Sequence, residues 1–140
     1  MPAPDKVSTV VAEWVQKAEE DLLAAKRLLR PKQGCPVSTV GFHAQQRVEK
    51  FLKALLTWRQ IPFPKTHNIP ELVGLLPQRL SLKLSAEEQE RLTTYATVNR
   101  YPGDYPPLTY EQAKAAVQTA SRVRQAIRKI LPKEALGENR

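Results

Sequence analysis

Two long apolar repeats, separated by a very short break, constrain this chain more than any other feature. Over residues 8–30, preceded by Val7, the positions Val11, Trp14, Ala18, Leu22, Ala25 and Leu29 recur every three or four residues. That spacing puts one apolar stripe on an amphipathic helix. Glu13, Lys17, Glu20 and Arg27 fall on the opposite, wet side. Pro31 and Gly34 end the pattern, because proline lacks the donor and glycine admits left-handed backbone. A second repeat follows over residues 36–59, carried by Val37, Val40, Gly41, Ala44, Val48, Phe51, Leu52 and Leu55. It amounts to about 35 Å of helix at the usual rise. Two such helices joined only by "PKQGCP" must fold back on each other as an antiparallel hairpin, with the second as the spine.

The rest of the chain reads as shorter helices that close this hairpin. "IPFPK" (residues 61–65) excludes helix, since two prolines restrict themselves and their predecessors. Asn68, Pro70 and Glu71 then open a short third helix through an N-x-x-E cap. Ser85 and Glu88 open a fourth that carries Leu92, Tyr95 and Ala96 inward. Thr109, capping near Glu111 and Gln112, starts a last helix with Ala113, Val117, Ala120, Val123, Ile127 and Ile130 on its buried stripe. The pattern predicts an all-α, up-down bundle of about five helices in one domain over residues 8–131. Residues 132–140 are expected to form a flexible tail. The second helix is apolar on more than one side, at Phe42, Ala54 and Leu56, which predicts a homodimer.

Charge and composition narrow the function classes. Twenty-two Lys and Arg against 14 Asp and Glu give a net charge of +8. That favours an acidic partner, a nucleic acid or a negatively charged protein, over a simply solvated basic surface only weakly. A single cysteine, Cys35, excludes an intramolecular disulfide. No basic-then-apolar leader pattern and no apolar run of membrane-spanning length occur, so the expected location is cytoplasmic, with no membrane partner. Neither His43 nor His67 has a glutamate three residues before it, and no metal site is expected. The five glycines are scattered and form no phosphate loop, and no cofactor is implied.

Two places carry candidate chemistry. His43, Arg47 and Lys50 share a side of the second helix, with Lys53 a turn later, a stripe that faces phosphates, a partner's acidic groups, or only solvent. The other is "NRYPGDYPPLTYEQ", residues 99–112, packed between two helices. Arginine offers a fixed fork of donors for phosphate, and tyrosine offers a ring to stack and a hydroxyl to bond. The same residues also suit a capped loop in which Arg100 pairs with carbonyls or Asp104 and the tyrosines close the core.

The chain resembles the HEPN domain family. The likeness lies in "WVQKAEEDLLAAKRLL", in "FHAQQRVEKFLKALLTWRQIPFPKTHNIPELVGLL" and in "NRYPGDY", spanning about residues 8–131. It implies a helical dimer, often encoded beside a minimal nucleotidyltransferase in a toxin–antitoxin-like pair. It further implies that catalytic relatives are metal-independent ribonucleases using an arginine, a polar residue, a short spacer and a histidine. Arg100 falls on the motif arginine, but Tyr101 takes the polar position, Tyr105 takes the histidine position, and no histidine follows Arg100. A tyrosine with a pKa of about 10 is a poor proton shuttle near neutrality. No catalytic residue is therefore assigned. The resemblance implies a noncatalytic module binding nucleotide, RNA or a nucleotidyltransferase through Arg100, Tyr101, Asp104, Tyr105, Lys50 and Lys53. Its alternatives are a ribonuclease with an altered R-x4-H site and a dimeric scaffold without nucleotide affinity. In some relatives the partner nucleotidyltransferase modifies a tyrosine beside the motif histidine, which would make Tyr101 or Tyr105 the acceptor.

Overall fold

The computed structural model describes residues 4–96 and 107–137. Five α-helices are present among them, and no strand: α1 (Pro4–Leu29), α2 (Val37–Trp58), α3 (Ile69–Gly74), α4 (Ala86–Tyr95) and α5 (Tyr110–Ile130). The expected all-α bundle is what forms. α1 starts earlier than its apolar repeat indicates, with Pro4 in the first turn, where a missing N–H costs nothing.

α1 and α2 run antiparallel, as their side-chain register shows. Position 14 on α1 meets 53 on α2, 19 meets 47, and 21 meets both 43 and 50. α2 is the spine, packed by α1, α3, α4 and α5. Phe51, Leu52, Leu55 and Leu56 are fully buried on it. Each such side chain contributes roughly 1.5–3 kcal/mol of apolar burial. The all-round apolar character read above as the mark of a second copy is met inside the chain. Ala54 and Leu56 are completely covered, and Phe42 is half-buried against the His43 ring. That pattern therefore carries no argument for a dimer.

The helix starts follow their capping residues. Asn68 accepts from the Glu71 amide at 2.8 Å, but Thr66, not Glu71, receives the Asn68 N–H. Ser85 with Glu88 and Thr109 with Gln112 close complete capping boxes. Beyond Pro132 the expected looseness does not begin at once. Lys133–Leu136 form a 3-10 turn on α1, with Ala135 completely buried and Gly137 closing it at φ 74°.

Candidate functional site

Most of the chain's interior polar chemistry follows the α1–α2 hairpin, and it falls into three clusters, each built on one carboxylate. Asp21, on the flank of the α1 stripe, takes His43 Nδ1 at 2.8 Å on one oxygen and Lys50 Nζ at 2.5 Å on the other. An ionised carboxylate only accepts, so Nδ1 carries the proton. Also on α2, between His43 and Lys50 in sequence, Glu49 is buried and accepts from Lys53 Nζ at 2.9 Å, Gln45 Nε2 at 3.0 Å and His67 Nδ1 at 2.8 Å. Burial pushes its carboxyl up, but these three donors outweigh burial and hold it below the usual range. Gln45 also donates to the His67 carbonyl, so the proline-rich 61–68 link is fastened to α2 just before α3. Lys53 Nζ lies 5.7 Å from the Trp14 ring centre and 6.0 Å from that of Phe63. Trp14, as its position predicts, packs, edge-on to Phe63.

The third cluster lies where α1, α2 and α5 meet. Glu19 accepts from Arg124 Nε at 2.8 and 2.9 Å on its two oxygens. Arg47 Nη2 reaches it at 3.4 Å and Arg128 Nη1 at 3.5 Å. The Arg47 side chain has no exposure at all, and its Nε and Nη1 have no partner. Desolvation lowers its pKa to about 9 despite the nearby Glu19 and Asp21. Its guanidinium carbon sits 5.3 Å from the Phe51 ring centre.

These positions revise the reading of the α2 stripe. Its cations meet the chain's own carboxylates, on α1 for His43, Arg47 and Lys50 and on α2 for Lys53. Glu19 escaped notice because it sits beside Glu20 on a stretch read as wet. The hairpin itself holds the missing signal, since Glu19 and Asp21 lie about as far before the turn as positions 47 and 50 lie after it.

Arg100, Tyr101, Asp104 and Tyr105 lie outside the described residues. The flanks of that segment are placed. Leu108 and Tyr95 close on Gly41, where an added Cβ would stand 2.8 Å from Leu108 Cδ2 and 3.4 Å from the Tyr95 ring. The Tyr110 hydroxyl donates to the Leu29 carbonyl at 3.1 Å, tying the start of α5 to the end of α1. Lys50 and Lys53 lie about 13 and 18 Å further along α2 than Gly41, and at 100° per residue Lys50 leaves the opposite side.

Among the described residues, no group of His, Cys, Asp and Glu is arranged to hold a metal ion, and no helix is long and apolar enough to cross a membrane. Fold and site together define a small helical module whose two long helices are fastened by internal charge pairs, with a polar segment linking the last two helices. The chain belongs to the HEPN domain family, whose model matches residues 11–130, from within α1 to the last residue of α5. No curated protein and no solved structure matches it.

Proposed function

We propose that this chain is a noncatalytic HEPN module that binds nucleotide or RNA, or a nucleotidyltransferase partner, through the segment containing Arg100, Tyr101, Asp104 and Tyr105. One observation carries the reading. The chain has two histidines, both lie before Arg100, and both have Nδ1 bonded to a carboxylate of the hairpin. The family supports a nucleotide- or RNA-related, toxin-like role. The net charge of +8 suits a phosphate-bearing partner.

Within this reading Arg100 meets phosphate, the tyrosines stack and hydrogen-bond, and Asp104 orients the arginine. Lys50 and Lys53 contribute only by leaving Asp21 and Glu49, so their part is the smaller one. The protein works in the cytoplasm as a homodimer, half of a toxin–antitoxin-like pair. Native mass spectrometry of the protein from its own host reads dimer, partner and any nucleotide adduct on Tyr101 or Tyr105.

The deciding experiment pairs nucleotide and RNA titration with an RNA cleavage assay in EDTA. The expected result is binding that Arg100→Ala weakens by about 1.5–3 kcal/mol, at unchanged helical content, and no cleavage above background. EDTA-resistant cleavage abolished by Arg100→Ala would establish the ribonuclease reading instead. Absence of any nucleotide or RNA binding, with a dimer intact, would leave the scaffold.

A further inference from the structure

A cleft of about 100 Å³ opens between α4 and α5, the two helices that the Arg100 segment joins. A bound water needs roughly 10–15 Å³, so the cleft has room for several waters or for one small flat group. Its floor is apolar, formed by the buried Leu92, Tyr95 and Ala116. Its rim is exposed and mostly polar. Gln118 and Arg91 line it, and among the described residues neither side chain has a hydrogen-bond or ion-pair partner. Arg122 bounds one end, fixed by Glu88, Thr119 and the Lys83 carbonyl. Those contacts take three of its five N–H groups, and 49% of the side chain stays exposed. Glu88 is the one carboxylate in the lining, and Arg122 already holds it; Glu87 and Glu90 fall outside the lining. Past the cleft the charge keeps one sign. No acidic residue occurs from Gln112 to Lys133. Lys114, Gln118, Arg122, Gln125 and Lys129 are all exposed and fall within about 80° of one another around α5.

We propose that the α4–α5 cleft is a nucleobase subsite, seating one unpaired base of an RNA strand whose backbone follows the exposed face of α5. The inference rests on the RNA reading above and adds a place, apart from Arg100, where the strand is gripped and its sequence read. The lining decides the ligand class. A bare anion, or the carboxylate of an acidic protein, would be pressed against Leu92 and Ala116 and lose hydration that this floor cannot replace. A base is apolar on its faces and polar on its edge, which is how floor and rim are divided here. Gln118 offers that edge both a donor and an acceptor, so it favours one edge pattern over another. Arg91 and the two unused donors of Arg122 then meet the flanking phosphates, and Lys114 and Lys129 continue the path along α5. A base still paired in a duplex cannot enter so small a cleft, so the strand is single there.

The test is fluorescence anisotropy of the full chain with end-labelled RNA dodecamers of adenine, cytosine or uracil alone, at one salt concentration. The native chain should favour one of the three by about tenfold. Gln118→Leu should bring the three to within about twofold of one another. Gln125→Leu, on the same face but outside the cleft, should leave the preference as it is. Ala115→Phe, at an exposed lining position, should fill the cleft and weaken the preferred dodecamer about tenfold. Placement is read separately by ultraviolet crosslinking of the preferred dodecamer. The adduct should fall on the tryptic peptide of residues 115–122, which holds no part of the Arg100 segment. Equal binding of the three dodecamers, or an Ala115→Phe variant that binds like the native chain, overturns the subsite. If Arg100→Ala still weakens that binding, the Arg100 reading survives the loss. Absence of RNA binding altogether removes both. Binding of a polyglutamate peptide in place of RNA, abolished by Arg91→Ala, would make the groove an acidic-protein surface and overturn the proposal as well.

Discussion

Glu49 and Glu19 sit on the two long helices of one hairpin; Glu49 gathers donors from its own helix and from His67, and Glu19 from α2 and α5. Their surroundings differ in how closely the donors are met. Around Glu49 one lysine, one imidazole and two side-chain amides supply donors that its two oxygens can accept, all but one at 3.1 Å or less. Around Glu19 two of the four contacts are long, at 3.4 and 3.5 Å, and Arg47 keeps two buried nitrogens unpaired. A buried pair stabilises only when geometry and hydrogen bonds offset the loss of water. The Glu49 cluster meets that condition and fastens the α2–α3 link. The Glu19 cluster does not at Arg47, whose burial is only partly offset by its long contact to Glu19.

Breaking the balanced cluster should have the largest effect. Glu49→Ala leaves Lys53, 9% exposed, without its carboxylate and leaves the His67 ring without its partner on α2. The expected loss is about 3 kcal/mol, read from denaturant unfolding. Glu49 titrates below the usual carboxylate range in the fold, so its contribution is present above that range and declines as pH falls beneath it. A native-minus-variant difference that grows in acid would contradict the pairing. The unbalanced cluster should respond with the opposite sign. Arg47→Met replaces a poorly satisfied buried cation with an apolar chain of similar length, and should be neutral or stabilising by up to about 2 kcal/mol. If Arg47→Met instead loses as much as Glu49→Ala, the two clusters are equivalent and the distinction fails.

That contrast also marks how much the sequence could say. The helices were legible because apolar spacing and capping residues act locally: Ser85 with Glu88 and Thr109 with Gln112 cap as their identities require. The fate of charged side chains was not legible, because it depends on which helix lies opposite. Lys50 and Lys53 read as phosphate ligands from their own helix alone, and only the register against α1 and the 61–68 link shows their carboxylates. The same non-local packing hid the cover over Ala54 and Leu56, and so removed the apolar argument for a dimer. The family was legible from quoted motifs over nearly the whole matched span. The Arg100 segment remains a reading of residue chemistry.

A third carboxylate calibrates the first two. Glu88 accepts from the Ser85 amide, Thr119 and Arg122, fastening α4 to α5 near the surface. Burial pushes its carboxyl up, yet the Ser85 amide, Arg122 and Thr119 hold it down to about 2. Its folded pKa is thus depressed, so its contribution is complete above about 4.5 and is lost as pH falls towards 2. Glu88→Gln should cost about 1–2 kcal/mol near neutrality, less than Glu49→Ala because the site is more exposed. The difference from the native chain should shrink on acidification between those two values. A difference flat across that window would remove the charge from the account and leave only the cap.

The smallest effect should come from Gly41, where the comparison moves from charge to space. Alanine is favoured over glycine inside a helix by about 1 kcal/mol. Against that gain, the new Cβ would stand 2.8 Å from Leu108 Cδ2, too close for any real contact, and 3.4 Å from the Tyr95 ring, which is ordinary. The crowded atom is the end of a flexible, half-buried leucine, so the leucine shifts rather than the backbone. Overpacking of this kind costs about 1 kcal/mol or a little more, and Gly41→Ala should therefore change stability by less than about 1 kcal/mol. The two opposing terms can be separated. In a Leu108→Ala background the clash is absent, and Gly41→Ala should then stabilise by close to the full helical gain. Because Leu108 stands three residues after Tyr105 in the same inter-helix segment, the leucine's shift should reach the positions around Arg100. The expected signature is a Gly41→Ala variant that unfolds almost like the native chain while binding nucleotide or RNA more weakly. Identical effects of Gly41→Ala with and without Leu108 would show that the close approach does not constrain the root of the segment at all.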